Sequence, residues 1–321
     1  MTTQAIPEQM RAAAIDHFGG PDVIQTRSLP VPKPAPNQVL IRLESAGIGV
    51  WDPAVREGEF GGENAKFPRV IGNDGAGTVV ATGARVKRFH VGDTVYAFSM
   101  EGGFYAEYVA VKEDNVAAIP AGLTAEEAGA LGADGITALR GLEDQLDLDA
   151  GETLLIFGAS GGIGHIAVQL AKRLGASVLA VASGDDGVSL VKRLGADLAV
   201  DGHGGNVARA AREFAPKGID AALVLTHDDG LTEVLKVVRK GGRVAHPNGV
   251  EPAPIVPQGV MLMAYDGEPN RDAFDRLNRL IGSKPFHVEL GHVYRLEEAG
   301  RAHKELAKHH LGKLAFRVKT H

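Results

Sequence analysis

Residues 152–183, ETLLIFGASGGIGHIAVQLAKRLGASVLAVAS, decide the fold. The run Leu154–Phe157 is apolar enough for a buried parallel strand. Ile163, Ile166, Ala167, Leu170 and Leu174 then recur at spacings of three and four, which predicts one buried helix face. Gly175 is placed to end that helix in the left-handed conformation, and a second apolar strand follows. Between strand and helix, Gly158, Gly161 and Gly164 have the spacing of a tight turn, a close backbone approach to a pyrophosphate, and close helix-to-strand packing. A glycine triplet alone is a weak signal; strand, turn, helix and strand in that order supply its confirming context. The unit reads as a dinucleotide site whose diphosphate rests on N–H groups at the helix start.

Working outward, KRLGAS at 172 and KRLGAD at 192 repeat a helix end and its glycine cap, the mark of successive strand–helix units. Further strands read at 198–201, 221–226, 243–247 and 260–265, which makes six parallel strands. Ahead of them, residues 11–123 alternate short strand-like runs with Pro- and Gly-rich joints, so this part is mostly β. Thr124 with Glu127 forms a capping box where the helical grammar begins. After Tyr265 the reading is a helix through RDAFDRLNRLIG, a strand near HVELGHVY, a helix over 296–310 and a closing strand, KLAFRVK. The expected organisation is a β domain over 1–123, a doubly wound six-stranded domain over 124–266, and a return to the β domain over 267–321.

Composition narrows the function. With 44% apolar residues, 23% charged and a net charge of -6, the chain reads as an ordinary globular protein with no basic patch for nucleic acid. The absence of cysteine removes disulfides, thiolate nucleophiles and cysteine-held zinc together. The uncharged stretch Thr153–Ala171 has nearly the length of a membrane span, but its glycines, His165 and Gln169 make strand plus buried helix the better reading. MTTQAIPEQM has neither the basic nor the apolar part of a secretory signal, so a cytoplasmic setting is expected.

Across residues 10–321 the motifs AIDHFGGPDVI, GNDGAGTVVATG, VGDTVYAF, GFYAEYV, GITALRGL, GASGGIGHIAVQLAKRLGA and HHLGKLAFRV occur in an order that resembles the zinc-independent medium-chain dehydrogenase/reductases of the quinone oxidoreductase group. The resemblance implies a GroES-like β domain beside a Rossmann domain, with substrate in the cleft between them, and a homodimer formed through the strand around GVMLMAY. Where zinc-using relatives carry their three metal ligands, this chain has Gly49, Asn73 and Ala133; Gly and Ala side chains offer a metal nothing, so no metal site is expected. Tyr108 and Lys112 imitate the Tyr-x-x-x-Lys pair of short-chain dehydrogenases, but they precede the glycine motif and lie in a strand-like run, so packing is the expected role.

By the same resemblance Gly158, Ser160, Gly161, Gly162, Ile163 and Gly164 would serve the diphosphate, Ser183 the adenosine ribose or its phosphate, Thr137 the carboxamide, and Asn248 and Gly249 the nicotinamide half. An acid ending the second strand would favour NADH, and Ala182 stands there, next to Ser183; yet Asp185 and Asp186 follow where a phosphate-binding Arg or Lys is common. The balance tips slightly to NADPH, with NADH open. Trp51, Asp52 and Asn73 are the substrate-pocket candidates; Asp52 and Arg56 are spaced for a helical ion pair, and no proton donor stands out. The expected chemistry is metal-free hydride transfer from NAD(P)H to a small acceptor that is already electron-poor, a quinone or an activated alkene. A stand-alone enoyl-thioester reductase and a crystallin-like cofactor binder without turnover are the alternatives.

Overall fold

The structure, a computed structural model, describes residues 5–60, 62, 65–204, 206–228 and 230–318. The chain forms two compact units, one holding residues up to Ala133, Pro269–Asp275 and from Leu290 onward, the other Asp134–Glu268 and Arg276–Glu289.

The first unit opens with strands β1 (Gln9–Ile15), β2 (Ile24–Pro30), β3 (Gln38–Ile48), β4 (Arg69–Val70), β5 (Asp74–Thr82), β6 (Thr94–Phe98), β7 (Tyr108–Lys112) and β8 (Val116–Ala118), with short helices α1 (Asp52–Glu57) and α2 (Ala125–Gly129). β3 is buried along nearly all its length because β5, β7 and a C-terminal strand all pair with it. The capping box at the start of α2 is formed in both directions, Glu127 N–H donating to Thr124 Oγ1 and Thr124 N–H to Glu127 Oε2. Lys112 leaves Tyr108 to packing and binds Glu101 at 2.5 Å.

In the second unit α3 (Gly132–Leu139) runs into a π-helical turn over Arg140–Gln145. Then come β9 (Thr153–Phe157), α4 (Gly162–Leu174), β10 (Ser177–Ala182), α5 (Gly184–Arg193), β11 (Leu198–Asp201), α6 (Val207–Phe214), β12 (Ile219–Val224), α7 (Leu231–Leu235), β13 (Val238–Pro247), β14 (Met261–Tyr265) and α8 (Arg271–Gly282). The six strands are all parallel in the order β11-β10-β9-β12-β13-β14, the doubly wound Rossmann arrangement expected, with the order reversing beside β9. The chain closes in the first unit with β15 (Leu290–Arg295), α9 (Ala299–Glu305) and β16 (Lys313–Arg317), giving the sheet β15-β16-β3-β5-β6-β8. The last helix stops at Glu305 rather than His310: Lys308 N–H bonds Glu305 C=O three residues back, tightening the end, and His309 and His310 lie beyond it.

One feature of α4 goes past its periodicity. Every residue from Gly164 to Ala171 is buried, including His165 and Gln169, because residues 276–289 cover the side opposite the sheet. Gln169 exchanges bonds with both backbone groups of His287 at 2.8 and 3.0 Å. The Arg173 guanidinium donates to the carbonyls of Leu280, Ile281, Lys284 and Pro285, satisfying the C-terminal end of α8 and the turn beyond. His165 Nε2 accepts from Glu289 N–H at 3.1 Å, so its proton sits on Nδ1 and reaches Gly161 C=O at 2.9 Å.

Burial lowers the His165 pKa to about 4. Below the ordinary value of about 6.5 an unfolded chain takes up a proton that the folded chain refuses. Stability from this group is therefore whole above about pH 6.5 and drains away as pH falls toward 4, by about 2 kcal/mol at pH 5. Urea melts should show His165→Asn losing correspondingly less stability between pH 7 and pH 5 than the parent chain; equal losses would refute the assignment.

Candidate functional site

The glycine turn is built on contact distances. Gly158 has φ +90°, and its N–H and that of Ala159 both donate to Val181 C=O, joining the turn to the end of β10. A Cβ on Gly164 would lie 2.2 Å from Gly158 O and 2.6 Å from Ala159 Cα, so only glycine lets α4 start this close to β9. A Cβ on Gly161 meets nothing nearer than Gly158 O at 3.7 Å; this glycine faces open space at the helix start. α4 has no side-chain N-cap, which leaves Gly162 and Ile163 at a terminus suited to an anion. The cradle fits a diphosphate.

Ser160, expected at the diphosphate, also has a structural partner. Its side chain is buried, and Oγ accepts from Ser183 N–H at 3.2 Å; Gly187 makes room for it, since a Cβ there would come within 2.9 Å. Ser160 thereby ties the turn to Ser183 at the start of α5 and keeps its own O–H as a donor. Asn248 and Gly249 lie in an exposed turn just past β13. Buried Tyr265, which sequence reading missed, joins them to Thr137: its O–H donates to Thr137 C=O at 3.0 Å, and its own C=O accepts Asn248 N–H at 3.0 Å. Burial raises the Tyr265 pKa, which keeps that phenol a donor. Its signal in the sequence was only an aromatic at the end of the last apolar run.

The remaining candidates belong to the first unit. Trp51 is half-buried at the start of α1, its ring edge-on to Phe60 at 5.0 Å. Asp52 is buried and turned inward: Oδ2 accepts from Tyr105 O–H at 2.5 Å and from Gly49 N–H at 2.7 Å. Its expected helical ion pair with Arg56 is replaced. Arg56 pairs with Glu57 and donates to Gly19 C=O and, at 2.8 Å, to His303 Nδ1. That bond places the proton of a neutral His303 on Nε2, 3.2 Å from the Tyr105 oxygen. One directed chain results, from Arg56 through His303 and Tyr105 to Asp52, and it pins the backbone of Gly49. Burial, then Arg56, lowers the His303 pKa to about 3; burial outweighs the two donated bonds and raises Asp52 to about 6.

Asn73 and Ala133, which with Gly49 were expected to stand in place of metal ligands, are also tied up. Asn73 gives an amide hydrogen to Ser99 C=O at 2.8 Å, and Ala133 N–H donates to Asp74 Oδ2 at 2.9 Å. Asp74 in turn meets Lys313 at 3.0 Å, both side chains buried. Among the described residues no group of three or more His, Asp or Glu is placed to hold a metal ion. Nor is any helix among them long and apolar enough to cross a membrane.

Comparison with known proteins gives the family of the chain. Residues 35–121 match the model of the alcohol dehydrogenase GroES-like domain, and residues 162–254 that of the zinc-binding dehydrogenase family. The chain is 30% identical to a quinone oxidoreductase of Lama guanicoe over 92% of its length and 93% of the relative's. It is 33% identical to an NADPH-dependent alkenal/one oxidoreductase of Arabidopsis thaliana, covering 87% of this chain and 71% of that one. A mycobacterial protein solved in complex with NADPH superposes with a TM-score of 0.84 at 27% identity, covering 96% of this chain and all of that one (100%).

Two contrasts test the site. Gly161→Val should fold with a stability change within roughly 0.5 kcal/mol, as at an open surface position, yet lose dinucleotide affinity at least about tenfold, whereas Gly164→Val should fail in thermal melts. Equal behaviour of the two would contradict the cradle. Lys313→Met leaves Asp74 buried without its cation and should cost about 3–5 kcal/mol in urea unfolding, with part recovered in the Asp74→Asn/Lys313→Met pair.

Proposed function

Because the chain belongs to the medium-chain dehydrogenase/reductase family, in its quinone oxidoreductase-like group, we propose that it is an NAD(P)H-dependent, metal-independent reductase of quinones or activated alkenes. The observation that carries the proposal is the uncapped glycine cradle at the carboxyl edge of a doubly wound sheet, where such sheets take their ligands. When bound, the nicotinamide supplies the hydride. The chain's own part is positioning: the Gly161–Ile163 backbone receives the diphosphate, Ser183 the adenosine ribose, and Thr137 with Asn248 and Gly249, joined by Tyr265, the nicotinamide half.

An acceptor that is already electron-poor needs no Lewis acid, and this suits a first unit whose backbone at Gly49 and Ala133 is fastened to carboxylates instead of being framed by metal ligands. Trp51 and the exposed Phe60 present flat apolar surface suited to a planar acceptor. The enzyme is further proposed to be a homodimer. β14 is an edge strand, with Met261 52% and Leu262 39% exposed, and pairing with a second copy would cover it.

Purified protein should oxidise NADH or NADPH when given a small quinone or enone, with turnover unaffected by prior treatment with a chelator. Turnover confined to enoyl thioesters, or activity abolished by the chelator and restored by zinc, would overturn the proposal. Tight cofactor binding with no turnover on any of the three acceptor classes would leave a binding protein instead.

A further inference from the structure

The adenosine end of the dinucleotide site contains a charge arrangement that the sequence spacing did not show. Ala182, the last residue of β10, is in register with Asp201, the last of β11, so the residues following each strand emerge side by side. A single helical turn over Gly202–Gly204 then sets the His203 ring over Ser183, with Nε2 2.9 Å from Oγ. Asp201 Oδ1 accepts from both Gly184 N–H at 3.1 Å and His203 N–H at 3.2 Å, locking the two turns together. Those bonds commit Asp201 to its ionised form.

The surroundings of His203 are acidic. Asp201 lies beneath it, Asp228 Oδ2 is 3.9 Å from its Nδ1, and Asp185 and Asp186 stand in the first turn of α5. His227, exposed, adjoins Asp228. Neither 183–191 nor 198–206 contains an arginine or lysine. A ribose 2′-phosphate brought to Ser183 would enter a field of carboxylates, with the His203 imidazole against the hydroxyl that would meet it. An unphosphorylated ribose needs only the hydroxyl and the backbone.

We propose that His203 determines which dinucleotide this chain takes: neutral, it leaves Ser183 to an unphosphorylated ribose, and protonated, it admits a 2′-phosphate. The inference rests on the nucleotide-binding reading above. Cofactor choice is then a function of pH, with the phosphorylated dinucleotide gaining as pH falls, because the proton on His203 comes from solvent and is retained in the complex with the phosphate.

Calorimetric titration of the intact protein with adenosine 2′,5′-bisphosphate and with 5′-AMP, at about pH 6 and about pH 8 on either side of the ordinary imidazole range, tests this without turnover. The ratio of the two affinities should fall by about tenfold from the lower to the higher pH, the scale of one charge-assisted contact. His203→Gln should show the low ratio at both, and His203→Lys the high ratio at both; ionisation of the ligand itself is common to all three proteins and cancels. A parent ratio that does not move, or that moves equally in His203→Gln, overturns the role of His203. Failure of the parent to bind either ligand overturns the nucleotide reading instead.

Discussion

The approach of one backbone to another, at the point where β9 turns into α4, is the constraint on which the rest is built. With Gly164 seated against Gly158 and Ala159, the helix axis is aimed from the edge of the sheet and its first N–H groups face outward. A methyl group at this contact would collide with backbone, which has no rotamer by which to yield. The helix dipole and the unsatisfied donors then make an anion site without any charged side chain.

That same helix is fastened from behind by polar side chains. His165 holds Gly161 C=O with one nitrogen and Glu289 N–H with the other, while Gln169 closes on His287. Buried polar groups stabilise only when every donor and acceptor is matched, and here both nitrogens of the imidazole are. The cradle is thus rigid for a reason beyond its glycines: its N-cap carbonyl is held by a histidine one turn along.

A comparable economy organises the first unit. Here Asp52 and Asp74 accept the backbone N–H groups of Gly49 and Ala133. Each carboxylate is itself held, one by Tyr105 in a chain leading back to Arg56, the other by Lys313. Breaking either costs more than a surface ion pair would, because the carboxylate left behind is buried and has lost one of the groups that hold it.

Fold class and the glycine turn were legible in the residues, since both rest on local patterns: apolar runs for parallel strands, a three-and-four period for α4, and glycines where a Cβ has no room. The Thr124–Glu127 box and the cap at Gly175 were legible for the same reason, each being complete within a few residues. What lay outside that reach was pairing between distant segments. Arg56 was expected on Asp52, four residues away, and instead meets His303; Ser160 Oγ meets Ser183 N–H; Tyr265 joined Thr137 to Asn248; and His203 came to Ser183 because two strands end in register. Sequence spacing determines which residues share a helix face or a turn, but only the folded chain decides which buried polar group a given donor can reach, because that partner is chosen by the packing of elements remote in the chain.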